Sequence, residues 1–271
     1  MTPRTDLPSR PRAGVRLLAL AAALLLVLPQ GAGQAATDPP PALQGKKFAA
    51  YEFGWYPINH VDHFVEPLPD YWEVHGPGDV RTQFGMITIM STDADSTGAT
   101  LREHSHARGR WEIRMRAKRI ETGNTDFLAT AELVPAGTRP YNCGARNISL
   151  TSFRPTGDAA QFHARSLPDN EFTASLPLKL TNDYWHTYGV EVTRKRISWF
   201  VDGEVRRTER RPAARSGAKL DLRLELTAVT GETMNESRLQ VDTVRYFTLK
   251  SPNDKPVKAP RATKGTYADA C

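Results

Sequence analysis

The sequence predicts an all-β fold, an antiparallel β-sandwich, on three observations. First, Tyr184 to Thr208 (YWHTYGVEVTRKRISWFVDGEVRRT) alternates apolar and polar residues twice, across a short basic turn at Arg194, Lys195 and Arg196. Period-two alternation rich in β-branched and aromatic residues is the pattern of paired strands. Second, short runs of this kind, broken by Gly, Pro and Asn, fill the chain from Trp72 to Leu249. Many short strands so punctuated build sandwiches. Third, helical periodicity is nowhere sustained over three turns.

The N-terminal segment reads differently. Arg4, Arg10, Arg12 and Arg16 precede an apolar run from Leu17 to Leu28, and Gly33-Gln34-Ala35 offers small residues for cleavage. This is the pattern of a secretory signal peptide over residues 1–36, and the apolar run is short for a membrane span. Residues 37–45 are Pro- and Ala-rich and read as a linker. The body is expected over 46–250 as one domain, followed by a polar, irregular tail over 251–271 with Pro252, Pro256 and Pro260.

Within the body, Trp72 to Val74, Val80 to Phe84 and Met86 to Ser91 read as strands, with Gly85 as a turn. Arg110 to Lys118 alternates cleanly: Trp111, Ile113, Met115 and Ala117 form one face, and Arg110, Glu112, Arg114, Arg116 and Lys118 the other. Phe127 to Val134 and Ile148 to Phe153 follow, then the hairpin. Its second turn falls at Asp202-Gly203, where Gly tolerates positive φ. Leu220 to Val229 and Val241 to Leu249 close the series.

Charge and cysteines bound the partners. Removing residues 1–36 lowers the net charge from +6 to +3. A surplus of that size is a solvated surface, and no zinc-finger or helix-turn-helix spacing is present, so neither nucleic acid nor, after signal removal, a membrane is expected as a partner. A secreted monomer is the expectation. Its two cysteines, Cys143 and Cys271, read as a disulfide that pins the tail; two free thiols or an intermolecular bond are the alternatives.

Four segments, in order, resemble the family-sixteen glycoside hydrolases, the laminarinases, lichenases, agarases and relatives. They are DYWEVHGPGDVRTQFGMITIMS (Asp70 to Ser91), GRWEIRMRAK (Gly109 to Lys118), the hairpin itself, and LQVDTVRYF (Leu239 to Phe247). The resemblance implies a concanavalin-like jelly roll of two curved sheets, with a cleft for a β-linked polysaccharide such as a glucan or galactan. It also implies a catalytic strand with Glu, Asp and Glu after the strand LATAELVP (Leu128 to Pro135).

That strand should be CGARNISLTSF (Cys143 to Phe153), and it holds no acid. One register puts Asn147, Ser149 and Ser152 at the acidic positions; a second, anchored on Gly144, puts Ala145, Asn147 and Leu150 there. Retaining hydrolysis needs a carboxylate nucleophile and a carboxylic acid. Asn shuttles no proton at neutral pH, and Ser needs an adjacent base. Substitute acids could come from Glu112, whose family counterpart holds substrate, from Glu132, where the family has Trp, or from Glu225.

The residues therefore suggest a catalytically degenerate, polysaccharide-binding domain. The alternatives are an endo-glycosidase with relocated carboxylates, a polyanion lyase using Arg114, Gln161 and His163, or a cell-wall scaffold. Glu112, Arg114, His163, Trp185 and His186 are the expected substrate contacts; packing is the competing role for Trp185, and for His186 together with Tyr188, while Trp199 is expected in the core. No cofactor is expected, apart from a structural calcium that Asp242 could hold by resemblance.

Overall fold

Two antiparallel sheets stack face to face, as the alternation requires. The computed structural model describes residues 45–64, 67–92, 94–137 and 144–267. The signal segment, most of the linker and both cysteines, Cys143 and Cys271, lie outside the described residues.

Sheet A runs in the order β13 (Glu204–Glu209), β12 (Ile197–Val201), β11 (His186–Val192), β6 (Gly109–Arg119), β15 (Ser237–Phe247), β4 (Met86–Ser91) and β3 (Asp79–Gln83), with β1 (His60–Asp62) also paired to β15. Sheet B runs β16 (Thr263–Thr266), β10 (Asn170–Pro177), β9 (Ala159–Ser166), β8 (Ile148–Phe153), β7 (Leu128–Pro135), β14 (Leu220–Thr227), β5 (Thr97–His106) and β2 (Trp72–His75).

The core lies between the sheets. Trp111, Ile113, Met115 and Ala117 of β6 enter it as the alternation predicts, with Ala129, Ala131 and Leu133 of β7 and Leu222, Leu224 and Leu226 of β14. Each large side chain so buried stabilises the fold by roughly 1.5–3 kcal/mol. Trp199 is fully buried, and its Nε1 donates to the Ser149 carbonyl at 2.8 Å, so one indole links the two sheets.

The hairpin is held at its second turn. Asp202 (φ 49°) and Gly203 (φ 76°) both take positive φ, the signature of a two-residue hairpin turn. The Asp202 carboxylate accepts the Thr187 N–H at 3.0 Å and lies 2.7 Å from His186 Nδ1. His186 Nε2 lies 2.8 Å from the Lys179 carbonyl oxygen. His186, expected at substrate, is thus a buried brace between a turn and the preceding loop.

The structure adds strands to those expected. β1, β10 and β16 are short or largely polar, and β16 pairs with β10 inside the tail expected to be irregular. In β5, Gly98 looks like a strand breaker. It is instead a close approach: a Cβ there would stand 2.2 Å from the Leu224 carbonyl oxygen of β14.

A second apolar cluster covers the outer face of sheet A. Helix α1 (Ala49–Glu52) and Phe53 and Trp55 after it pack on Phe200, Phe247 and Val257. No side chain caps α1 at Phe48. Glu112 of β6 does so from the sheet, accepting the Ala50 N–H at 3.2 Å. Glu112, expected in a cleft, is therefore roofed over at 1% exposure, with Arg245 Nη2 at 3.7 Å.

Burial raises the Glu112 carboxyl from 4.5 to about 7, although Arg245 and the helix N–H groups pull it down. A carboxyl raised in the folded state costs nothing below the unfolded pKa and its full penalty above the folded one. Stability should therefore fall as pH rises from 4.5 to about 7, by about 3 kcal/mol. Glu112→Gln should match the native protein at the acid end and exceed it by that amount at the neutral end, measured by urea unfolding. The same pH slope in both proteins would show that Glu112 is not its source.

Candidate functional site

The outer face of sheet B carries a buried polar network. Its members follow from alternation: with Ala129, Ala131 and Leu133 facing the core, Thr130 and Glu132 of β7 face out. Likewise Arg223, Glu225 and Thr227 of β14 and Gln161 and His163 of β9 alternate with core residues.

On β8 the pairing with β7 shifts between Ala131 and Glu132, so Ser149 lies opposite Glu132 and Ser152 opposite Thr130. This bulge inserts one extra residue between the two serines. Leu150 is fully buried in the core, so the register anchored on Gly144 does not bring its third position to this face. Asn147, Ser149 and Ser152 are brought to it together.

Glu132 is the centre of the network. It is 4% exposed. Its Oε1 is 2.7 Å from His163 Nε2, and its Oε2 accepts from Asn147 Nδ2 at 2.8 Å and Arg223 Nη2 at 2.9 Å. Ser149 Oγ accepts the His163 backbone N–H at 2.6 Å. Glu225, also 4% exposed, lies 3.0 Å from His75 Nε2 and accepts from Thr227 Oγ1 at 2.7 Å. Arg223 reaches both acids, its Nε standing 3.7 Å from Glu225. Thr130 Oγ1 is 3.2 Å from Thr227 and 3.3 Å from Ser152.

These partners decide the electrostatics. Burial alone pushes the Glu132 carboxyl up, but the His163 hydrogen bond and charge and the Arg223 guanidinium outweigh it and hold it down at about 2. Burial likewise pushes Glu225 up, and His75, Arg223 and Thr227 together bring it below the ordinary carboxylate value. Glu132 and Glu225, the two acids of this network, are thus ionised at neutral pH and their oxygens are occupied. A general acid for glycoside cleavage needs the opposite, a carboxyl raised so that it keeps its proton.

The remaining expected residues lie elsewhere. Glu112, Arg114, Trp185, His186 and Asp242 all belong to sheet A or its flanks. Arg114 pairs with Asp242 and lies over the Trp185 ring at 4.4 Å, with Arg116 over the same ring at 4.5 Å. Trp185 thereby packs against two guanidiniums and is 4% exposed.

Asp242 is committed to a cation, and among the described residues no group of three or more His, Cys, Asp or Glu could hold a metal. An ion taking Asp242 would have to displace its Arg114 partner. Arg114 also stands on the opposite side of the sandwich from Gln161 and His163, so the trio a lyase would need is not assembled. Gln161 instead donates to Ser175 Oγ at 3.0 Å.

Sequence reasoning missed Arg223, His75 and Thr227. A signal existed: Asp221, Arg223 and Glu225 interrupt four leucines in LDLRLELT, a placement of charges that a half-buried strand face explains.

No protein-family model matches the sequence. No curated protein matches it either. Solved structures do. The laminarinase from Rhodothermus marinus aligns at 17% identity and a TM-score of 0.59, over 70% of this chain and 96% of that one. The fold is that of the family-sixteen glucanases. A non-specific endo-β-1,3(4)-glucanase of family GH16 aligns at 14% identity and a TM-score of 0.58, over 77% of this chain and 94% of that one. A structure reported with the endo-acting O-glycanases of human gut microbiota aligns at 15% identity and a TM-score of 0.56, over 71% of this chain and 99% of that one.

Removing the Glu132 carboxylate leaves Arg223 and His163 buried without it. Glu132→Ala should cost about 3–5 kcal/mol in urea unfolding. In the native protein this contribution is present above 4.5 and should be lost as pH falls towards about 2. A cost below about 1 kcal/mol would place Glu132 with exposed surface pairs and contradict the network.

Proposed function

We propose that this chain is a secreted, catalytically degenerate relative of the family-sixteen glucanases that binds a β-linked polysaccharide, a glucan or galactan, on the outer face of sheet B. The observation that carries this reading is the state of the two acids at the centre of that face's network. Glu132 and Glu225 are ionised, saturated with hydrogen bonds and separated by Arg223. Hydrolysis by a retaining route would need two carboxyl groups about 5–5.5 Å apart, one protonated and one free to attack.

The same face suits binding. The members of the face that reach solvent, Gln161, His163, Ser152 and Thr227, are held in fixed positions by the buried network beneath them and can meet sugar hydroxyls without the reorganisation a mobile surface requires. A solved relative supports the separation of binding from cleavage. In a mutant of the non-specific endo-β-1,3(4)-glucanase, one glutamate is replaced by serine, and the protein was co-crystallised with 1,3-β-D-cellotriosyl-glucose, with a 1,3-β-D-cellobiosyl-glucose at the active site. Serines stand at two of the three positions that resemble the acidic motif here, Ser149 and Ser152.

The test is retention on insoluble β-1,3-glucan and on agarose, with soluble reducing ends assayed in parallel. The expected result is retention without product, and weaker retention for Gln161→Ala, an exposed member of the face. Release of reducing ends would overturn the degenerate reading, and failure to be retained on either polysaccharide would overturn binding.

A further inference from the structure

At one end of the sandwich a cavity of about 210 Å³ opens between three connections. Arg108 comes from the β5–β6 turn, Arg194 from the β11–β12 turn and Arg215 from the loop before β14. Ile148, Val192 and Leu220 form an apolar wall, and among the described residues no acid lines the space.

The three guanidiniums are unusual for this protein. Among the described residues, none of the three has a side-chain hydrogen-bond or ion-pair partner, and none lies over an aromatic ring. Arg146 and Arg261 apart, every other described arginine is ion-paired or hydrogen-bonded through its side chain. The acids next along the adjoining strands are already committed. Asp221 accepts from Arg102 at 2.9 Å and Ser105 at 2.5 Å. Glu191 accepts from Arg110 at 2.8 Å, Arg196 at 2.6 Å and Asn253 at 2.7 Å. Lys195 and Lys219 flank Arg194 and Leu220 in sequence and add positive charge.

Arg108 and Arg194 are exposed and Arg215 half-buried, and cations that line one cavity without a counter-charge make its potential positive and favour an anion there. The planar guanidinium fork matches the paired oxygens of a carboxylate or sulfate. The cavity is smaller than the roughly 300 Å³ at which pockets for drug-sized ligands begin, so it suits one charged unit rather than a chain. The apolar wall favours a ligand that brings carbon surface with its charge.

We infer that this end pocket binds the oxyanion of an acidic saccharide unit, a uronate carboxylate or a sulfate ester. That the anion is carried by a saccharide rests on the function proposed above; that the pocket takes an oxyanion does not.

The experiment is calorimetric titration of the full chain with glucuronate, glucose and inorganic sulfate, repeated on the triple variant Arg108→Gln, Arg194→Gln, Arg215→Gln. All three residues lie on connections outside the strands, and circular dichroism checks that the variant keeps its sheet. Glucuronate should bind and be displaced by sulfate, glucose should not bind at this concentration range, and the variant should lose at least about tenfold in glucuronate affinity.

Equal affinity in native and variant protein would overturn the pocket. Sulfate binding without glucuronate binding would reduce it to a free-ion site and overturn the saccharide part. Tighter binding of single-stranded RNA, steeply salt-dependent and lost in the same variant, would reassign it to nucleic acid and overturn it as well. Retention on neutral β-glucan separates the two readings. Retention kept by the variant while glucuronate binding is lost shows two independent sites, and glucuronate binding in a protein that no polysaccharide retains removes the outer-face reading alone.

Discussion

Sheet B is organised around one buried ionised carboxylate. Glu132 of β7 meets His163 of β9, Arg223 of β14 and Asn147 at the entrance to β8, so a single side chain joins four neighbouring strands. Taking such a charge out of water costs several kcal/mol, and the cost is offset only when the geometry satisfies it fully. Here three donors do so. That requirement fixes much of the surrounding chemistry: the strand beside Glu132 must present a donor, the next a histidine, and the strand on the other side a guanidinium.

This explains why β8 carries Asn and Ser where the sequence resemblance leads one to expect acids. Asn147 Nδ2 stands 2.8 Å from Glu132 Oε2. A carboxylate at position 147 would face a second carboxylate, and like charges at that distance cannot both stay ionised. The amide supplies a proton donor instead. Ser149 accepts a backbone N–H from β9, and Ser152 joins the Thr130 and Thr227 hydroxyls. The ionised carboxylate stands on β7, one strand from the positions the resemblance would make acidic, and the polar side chains of β8 are its neighbours. The result is a face with its hydrogen bonds in place rather than a gap left by missing catalytic groups.

Much of the fold was legible because strand alternation is a strictly local signal. The faces of β6, the hairpin of β11 to β13 and the core position of Trp199 all follow from period two. What alternation cannot say is which sheet a strand joins or what covers its outer face. Alternation puts Glu112 on the face opposite Trp111, yet that face is roofed by α1, a four-residue helix too short to show a period. β10 and β16 are held by backbone pairing with few apolar residues, so their side chains carry little signal. The network was partly legible, through Glu132 and Glu225, but Arg223 gains its meaning only when β14 is known to lie beside β7.

The two outer faces then treat the same side chain in opposite ways. Glu112 and Glu132 are both almost fully buried, and burial pushes both carboxyls up. On sheet A the donors are two helix N–H groups and a guanidinium at 3.7 Å, and burial prevails. On sheet B a histidine, an amide and a guanidinium lie within hydrogen-bond distance, and the partners prevail. One carboxyl near neutrality and one ionised carboxylate are what a glycosidase needs chemically. Geometry withholds the pairing. The two groups lie on opposite sides of a sandwich whose sheets alone stand about 10 Å apart, beyond even the roughly 6.5–9.5 Å over which an inverting pair can work through a water. The fold therefore holds one carboxyl near neutrality and one ionised carboxylate, and keeps the hydrophobic core between them.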